Sequence, residues 1–121
     1  MSEASTPEAL FEGRPLGYEF YQAATRVIEQ FGDVERRATK SQVAFRRRRG
    51  FAYVWRPGQY VDSEVPAVLS IALPRQLRSP RFKSVVHPSD RVWMHHLELS
   101  TVDDIDDEVV AWLREAFDAA S

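Results

Sequence analysis

Two stretches of the chain carry side chains that could do chemistry. The stretch "AFRRRRGFAYVW" (44–55) sets four arginines before a glycine and three aromatic residues at alternate positions. The stretch "MHHLEL" (94–99) supplies two adjacent histidines followed by a glutamate. Guanidinium groups beside aromatic rings are typical of nucleic-acid-binding surfaces, and a histidine near a carboxylate is typical of acid–base sites. Both interpretations depend on the side of the fold on which each residue lies.

The length and composition predict one globular domain. The chain has 121 residues, of which 44% are hydrophobic, enough for a core of its own. It has no cysteine, which excludes disulfides and thiolate metal sites. It also lacks an apolar run of membrane-spanning length, a secretory signal pattern and a glycine-rich phosphate loop. We therefore expect a cytoplasmic domain over residues 7–121 after a flexible tail (1–6), with no membrane segment and no cofactor.

Charge is distributed unevenly along the chain. The overall net charge is −2, but it is −3 over residues 1–32, +8 over residues 33–91 and −7 over residues 92–121. Two interpretations remain open. The acidic ends could neutralise the basic centre within the fold, or the centre could present a basic surface to an anionic partner.

The hydrophobic pattern predicts helices at both ends and strands between them. Thr6 and Pro7 are typical of a helix start, and apolar residues recur at helical spacing from Pro15 to Phe31. Strands are predicted over 34–39, 42–47, 51–57, 67–73, 82–86 and 92–100, followed by a helix within 101–120. This order predicts an α+β fold, with a largely antiparallel sheet of four to six strands and the helices packed on one face.

The arginine run is predicted to form the tip of a hairpin. Gly50 suits the left-handed position of a three-residue loop, which would pair Phe45 with Tyr53 and Val43 with Trp55. This register places Phe51, Tyr53 and Trp55 with Val43 and Phe45 in the core under the helices. The alternative is that the aromatic side chains form an exposed stacking platform, as in single-strand binders.

The opposite side of the sheet, which we call the second face, is predicted to mix small apolar residues with charged ones. The same alternation assigns to it Ala44, Arg46, Ala52, Val54, Arg56, Val68, Ser70, Ala72, Val92, Met94, His96 and Glu98. A surface of this kind suits a ligand or partner. Alternatively, the amino-terminal segment covers it, or two copies pair through it.

The adjacent histidines are predicted to point to opposite faces. His95 points to the core, where we expect it to be hydrogen bonded, and His96 shares the second face with Glu98. An acid–base role for His96 and Glu98 would need a pocket and a third partner. The acidic run 103–108 lacks the spacing and glycine of a calcium loop, and we expect it to cap the last helix.

Three segments together resemble a known family. The strand "TKSQVAF", the stretch "HHLEL" and the helix "DIDDEVVAWLREA" are similar to the family called domain of unknown function 5655, over about residues 11–119. That family carries no assigned activity, so it implies no catalytic residues. The order of elements is also similar to that of the MmcQ/YjbR-like group of small α+β domains, and this likeness implies contact with DNA.

These observations favour a non-enzymatic binding module. We expect it to contact an anionic partner, nucleic acid first, through the basic hairpin and through the later basic loop with Arg75, Arg78, Arg81 and Lys83. The predicted binding residues are Arg46, Arg47, Arg48, Arg49, Arg56 and His96. The alternative is a protein-interaction or homodimerisation domain that uses the second face, and a third hypothesis is a small enzyme that uses His96 and Glu98. No catalytic residue, metal ligand or cofactor is assigned.

Overall fold

Two helices begin at prolines near the amino terminus. The computed structural model describes residues 6–57 and 65–121. Helix α1 (Pro7–Leu10) is capped by Thr6, whose Oγ1 accepts from the amide of Ala9 at 3.1 Å, as predicted. Helix α2 (Pro15–Glu29) ends just before Gly32, whose φ of 150° favours glycine. The predicted tail lies outside the described residues except for Thr6.

Six strands form one antiparallel sheet, which confirms the predicted α+β fold. The strands are β1 (Glu35–Ala38), β2 (Gln42–Arg46), β3 (Gly50–Trp55), β4 (Ala67–Leu73), β5 (Ser84–Ser89) and β6 (Val92–Leu99). Their spatial order is β1-β2-β3-β4-β6-β5, so the apolar strand β4 lies between β3 and β6 near the middle. Residues paired across antiparallel strands share a face, and this pairing defines the two sides of the sheet.

The side chain of Asp106 caps the start of the last helix. A short 3₁₀ helix (Val102–Asp104) precedes α3 (Asp107–Ala119). Asp104 forms a capping box with Thr101, and an Oδ atom of Asp106 accepts from the amide of Val109 at 3.1 Å. The prediction that the acidic run caps the last helix is confirmed.

Both long helices pack on the same face of the sheet. The core joins their apolar stripes to the strand residues that point toward them. Its fully buried members include Phe20, Ile28, Val43, Phe45, Val54, Leu69, Ile71, Leu99 and Leu113. No described helix packs on the second face. Within the described residues, no helix is long and apolar enough to cross a membrane.

The predicted hairpin register is wrong by one residue. Phe45 pairs with Ala52 and Val43 with Val54, so Ala52 and Val54 are buried under the helices. Tyr53 therefore shares the second face with Ala44, its partner in the register. Trp55, two residues on, lies on the same side.

A bulge explains how the register differs from the prediction. Arg46 pairs with Gly50 and Phe45 with Ala52, which leaves Phe51 as the extra residue. Phe51 stays in the core, where its ring meets that of Phe117 edge-on at 5.8 Å. Gly50 does not adopt a positive φ. The Tyr53 hydroxyl lies where a Cβ of residue 50 would be, so the absence of a side chain at Gly50 lets the Tyr53 side chain lie close to the backbone there.

Candidate functional site

The arginine run holds the carboxyl end of α3. Arg47 donates from Nη1 to the carbonyl of Phe117 at 2.8 Å, and its guanidinium carbon lies 3.9 Å from the centre of the Phe117 ring. Arg49 donates from Nη2 to the carbonyl of Ala119 at 2.6 Å. The Arg48 amide donates to the carbonyl of Ala120. These contacts satisfy carbonyls that a helix end leaves free, at its partially negative pole.

Arginines of the loop after β4 bind the middle and the start of α3. Arg75 contacts both carboxylate oxygens of Glu115 at 2.9 Å. This pairing holds the pKa of Glu115 below its usual value. Arg81 contacts Asp106 at 3.0 Å and Glu108 at 2.9 Å, and its hydrogen bond lowers the pKa of Asp106. Arg75 and Arg81 of the basic centre therefore neutralise acids near the end of the chain, which supports the first of the two interpretations of the charge pattern for these two arginines.

The other predicted arginines stand apart from α3. Arg46 lies on the second face with a side chain 35% exposed, 3.6 Å from Glu35. The Arg48 side chain is exposed at the hairpin tip. The Nε atom of Arg56 is buried and has no hydrogen-bond acceptor among the described residues. Because a buried donor without a partner is costly, an anionic group beside Arg56 would be stabilising.

The centre of the second face holds a chain of three hydrogen-bonded side chains. Its members are Trp55, Ser70 and His96. Ser70 and His96 are paired neighbours on β4 and β6, and Tyr53 on β3 lies beside Ser70 in the same row. Trp55 donates from Nε1 to Ser70 Oγ at 2.8 Å, and Ser70 Oγ lies 2.6 Å from His96 Nδ1. The rings of Trp55 and His96 meet edge-on at 6.1 Å. Ser70 is consequently buried, although no described helix covers it.

The direction of these hydrogen bonds bears on the protonation state of His96. The indole nitrogen of Trp55 only donates, so Ser70 Oγ accepts from it. Ser70 is 2% exposed, and His96 Nδ1 is the acceptor that the described residues offer to its hydroxyl proton. When the Ser70 hydroxyl donates this bond, His96 is neutral and carries its proton on Nε2. Burial lowers the pKa of His96, and His95 lowers it further when that ring is protonated, so the neutral form of His96 is favoured.

The structure does not join His96 to Glu98. Glu98 forms an ion pair with Lys83 at 3.1 Å, and the described residues show no hydrogen bond between Glu98 and His96. The predicted acid–base pair is therefore not assembled. In the described part of the chain, no group of three histidine or acidic side chains could hold a metal ion.

His95 is the buried, hydrogen-bonded histidine that the strand alternation predicts. It is fully buried, and its Nε2 accepts from the amide of Leu77 at 2.9 Å. Its Nδ1 lies 3.3 Å from the carbonyl of Ile71. Burial lowers the pKa of His95, so the neutral ring anchors the loop after β4.

Sequence reasoning missed Ser70, Trp55 and Tyr53 as members of the site. A signal for Ser70 was present, because it is the polar residue in the apolar strand "AVLSIAL" and alternation already placed it on the same face as His96. Tyr53 and Trp55 were missed because the aromatic residues were assigned to the core.

Comparison with known proteins agrees with this description of a small domain without an assigned activity. Residues 8–120 match the family model described as "Domain of unknown function (DUF5655)". No curated protein and no solved structure matches the chain. The family match runs from α1 to the end of α3 and so spans the sheet and its helices. The chain belongs to the DUF5655 family.

Proposed function

We propose that the protein is a non-enzymatic module that binds single-stranded nucleic acid across the second face. The observation that carries the proposal is the position of Tyr53 and Trp55, which lie partly exposed on this face instead of in the core. They are two residues apart on β3 and thus lie on the same side. Aromatic side chains on a sheet surface stack with bases of any sequence, because every base has a π-face.

Cationic side chains at both ends of the second face support contact with phosphates. Arg46 lies at the hairpin end of β2, and the exposed Arg48 extends beyond it. Lys83 pairs with Glu98 toward the other end. Of the predicted binding residues, Arg47 contributes least because its guanidinium is committed to Phe117.

The neutral His96 adds a specific donor to this surface. Its Nδ1 is occupied by Ser70, so the Nε2–H group is the one left to meet an acceptor. Phosphate oxygens and the carbonyls of bases are acceptors of this kind. The chain from Trp55 through Ser70 fixes the ring orientation before any ligand arrives.

Fluorescence anisotropy with labelled oligonucleotides tests the proposal. The protein should bind single strands more tightly than duplex, with an affinity that falls as salt is raised. Tyr53→Leu removes a stacking ring but keeps an apolar side chain, and it should weaken binding by about five- to a hundredfold. Tyr53→Phe keeps the ring and should bind as the parent does. Arg48→Ala should weaken binding, whereas Arg26→Ala, which removes an exposed cation from α2, should not.

Two results would contradict the proposal. One is the absence of binding by micromolar protein at low salt. The other is binding that Tyr53→Leu and Arg48→Ala leave unchanged, because the ligand would then lie elsewhere on the molecule.

A second candidate function is homodimerisation through the same face. Val86 is 49% exposed and pairs with Met94, which in turn pairs with Ala72, so an apolar row crosses β5, β6 and β4 on the second face. Sedimentation velocity over a range of concentrations tests this function. A dimer that Met94→Glu dissociates would support it, and a monomer at every concentration would exclude it.

A further inference from the structure

A polar cavity lies on the helix side of the sheet. Its volume is about 510 Å³, within the range of small-molecule sites. We call it the β1 cavity, because alternate residues of β1 and its approach line it. Its lining includes Glu8, Tyr21, Val34, Arg36, Ala38 and Val43. It is separated by the sheet from the second face and its proposed function.

The edge position of β1 creates this space. Arg36 pairs with Phe45 and Ala38 with Val43, so both β1 side chains point to the helix side. Helix α2 covers the neighbouring strand β2 by stacking Tyr21 against Phe45, with ring centres 6.4 Å apart. Beyond that contact, the small side chain of Ala38 and the thin stem of Arg36 leave a gap under the sheet edge.

Two hydrogen-bond donors are joined at one wall of the β1 cavity. Arg36 donates from Nη1 to the hydroxyl of Tyr21 at 2.6 Å. In the described part of the chain, Arg36 forms no ion pair and the Tyr21 hydroxyl proton meets no acceptor. Tyr21 is buried at 4% exposure, so its position is fixed. A guanidinium beside a hydroxyl donor matches the two oxygens of a carboxylate.

The β1 cavity is also lined by the carboxylate of Glu8 and by apolar side chains. Glu8 accepts from the hydroxyl of Tyr18 at 2.9 Å. Backbone hydrogen bonding at the start of α1, followed by the Tyr18 bond, lowers the pKa of Glu8, so the group is an anion at neutral pH. An anion here favours an ammonium group and repels a second negative charge. Val34 and Ala38, which are partly exposed, offer an apolar surface in the same cavity.

We infer that the β1 cavity is a binding site for a small zwitterion, namely an α-amino acid. The carboxylate of the ligand meets Arg36 and Tyr21, its ammonium meets Glu8, and its side chain lies on the apolar surface. A dianion such as phosphate is disfavoured because Glu8 repels it. The inference stands on residues that the nucleic-acid proposal does not use, so either can fail alone.

Amide chemical shifts of the full-length ¹⁵N-labelled protein test the inference. The probes are glycine, L-leucine, 4-methylpentanoate and 3-methylbutylamine, each added to about 10 mM. The last two carry the body of leucine with only one of its charges. Glycine or leucine should give saturable shifts in α1 and β1. Each single-charge analogue should bind at least about tenfold more weakly than leucine, since it loses one ion pair.

Matched variants separate this site from general weak binding. Arg36→Met should abolish binding of the amino acids, and Tyr21→Phe, which removes one hydroxyl, should weaken it several-fold. Glu8→Gln should erase the preference for leucine over 4-methylpentanoate. Tyr53→Leu, on the other side of the sheet, should change nothing. The inference is wrong if neither amino acid gives saturable shifts, or if a folded Arg36→Met protein binds them as the parent does.

Discussion

Arg47 and Arg48 are neighbours in sequence, but the structure gives them different roles. Arg47 donates to the carbonyl of Phe117 and lies over its ring, whereas Arg48 donates its backbone amide to the carbonyl of Ala120, just after α3, and its side chain is exposed. Replacing each with methionine keeps most of the aliphatic stem and removes the charge. We therefore expect Arg47→Met to destabilise the fold and Arg48→Met to leave its stability unchanged.

The magnitude follows from the contacts of Arg47. A hydrogen bond from a charged donor contributes about 1.5 kcal/mol at the low end, which suits a half-buried group. A cation–π contact at an exposed site adds about 0.5 kcal/mol. The favourable position at the helix end involves the same charge and is not counted again. Arg47→Met should cost about 2 kcal/mol, and Arg48→Met should stay within about 0.5 kcal/mol.

Urea unfolding at 25 °C measures this difference. The midpoint should fall for Arg47→Met without a change in slope, and the melting temperature should drop by about 8 °C. In the oligonucleotide assay the order should reverse, with Arg48→Met weakening binding more than Arg47→Met. Equal stability of the two variants would refute the assignment of Arg47 to the end of α3.

Three further predictions concern the hairpin, the second face and pH. Gly50→Ala should lower the free energy of unfolding by about 1–2 kcal/mol, because the Cβ of the new alanine meets the Tyr53 side chain. Adding Tyr53→Leu should recover most of that loss in the same urea assay. Ser70→Ala should lower the free energy of unfolding by about 1–3 kcal/mol, because Trp55 Nε1 and His96 Nδ1 lose their hydrogen-bond partner. The control is Ser84→Ala, at an exposed position in the same cross-strand row, which should lower it by less than about 0.5 kcal/mol. Burial lowers the folded-state pKa values of His95 and His96 below 6.5, so the unfolded chain takes up protons first on acidification. The free energy of unfolding should then be constant above about pH 7 and fall as the pH drops below about 6.5, before the carboxylates titrate. Urea midpoints that do not change between about pH 7.5 and 5 would contradict this assignment of neutral histidines.

The elements of the fold were predictable because their signals are local. Thr6 with Pro7, the apolar stripe of α2 and the acidic start of α3 each depend on residues within one or two turns. The opposite orientations of His95 and His96 follow from strand alternation alone. The resemblance to DUF5655 was likewise carried by short segments and is confirmed.

The hairpin register was not predictable from alternation, because both sides of β3 carry apolar residues. Size and hydrophobicity favoured Tyr53 and Trp55 for the core, but the face under the helices holds the smaller Ala52 and Val54. The observed register contains a bulge at Phe51, whose ring packs against that of Phe117, far along the chain. The contacts of the arginines with α3 could not be predicted from the sequence either, because their partners on that helix are distant along the chain.

The bonds between the hairpin tip and α3 also bear on the order of folding. Arg47 and Arg49 meet residues 70 positions away, so these contacts close a long loop. Closing such a loop has a large entropic cost that short-range pairing of β2 with β3 avoids. We expect the tip to dock on the helix after the rate-limiting step, so that Arg47→Met accelerates unfolding and leaves the refolding rate nearly unchanged. The same arginine would then set the lifetime of the native state more than the speed of its formation.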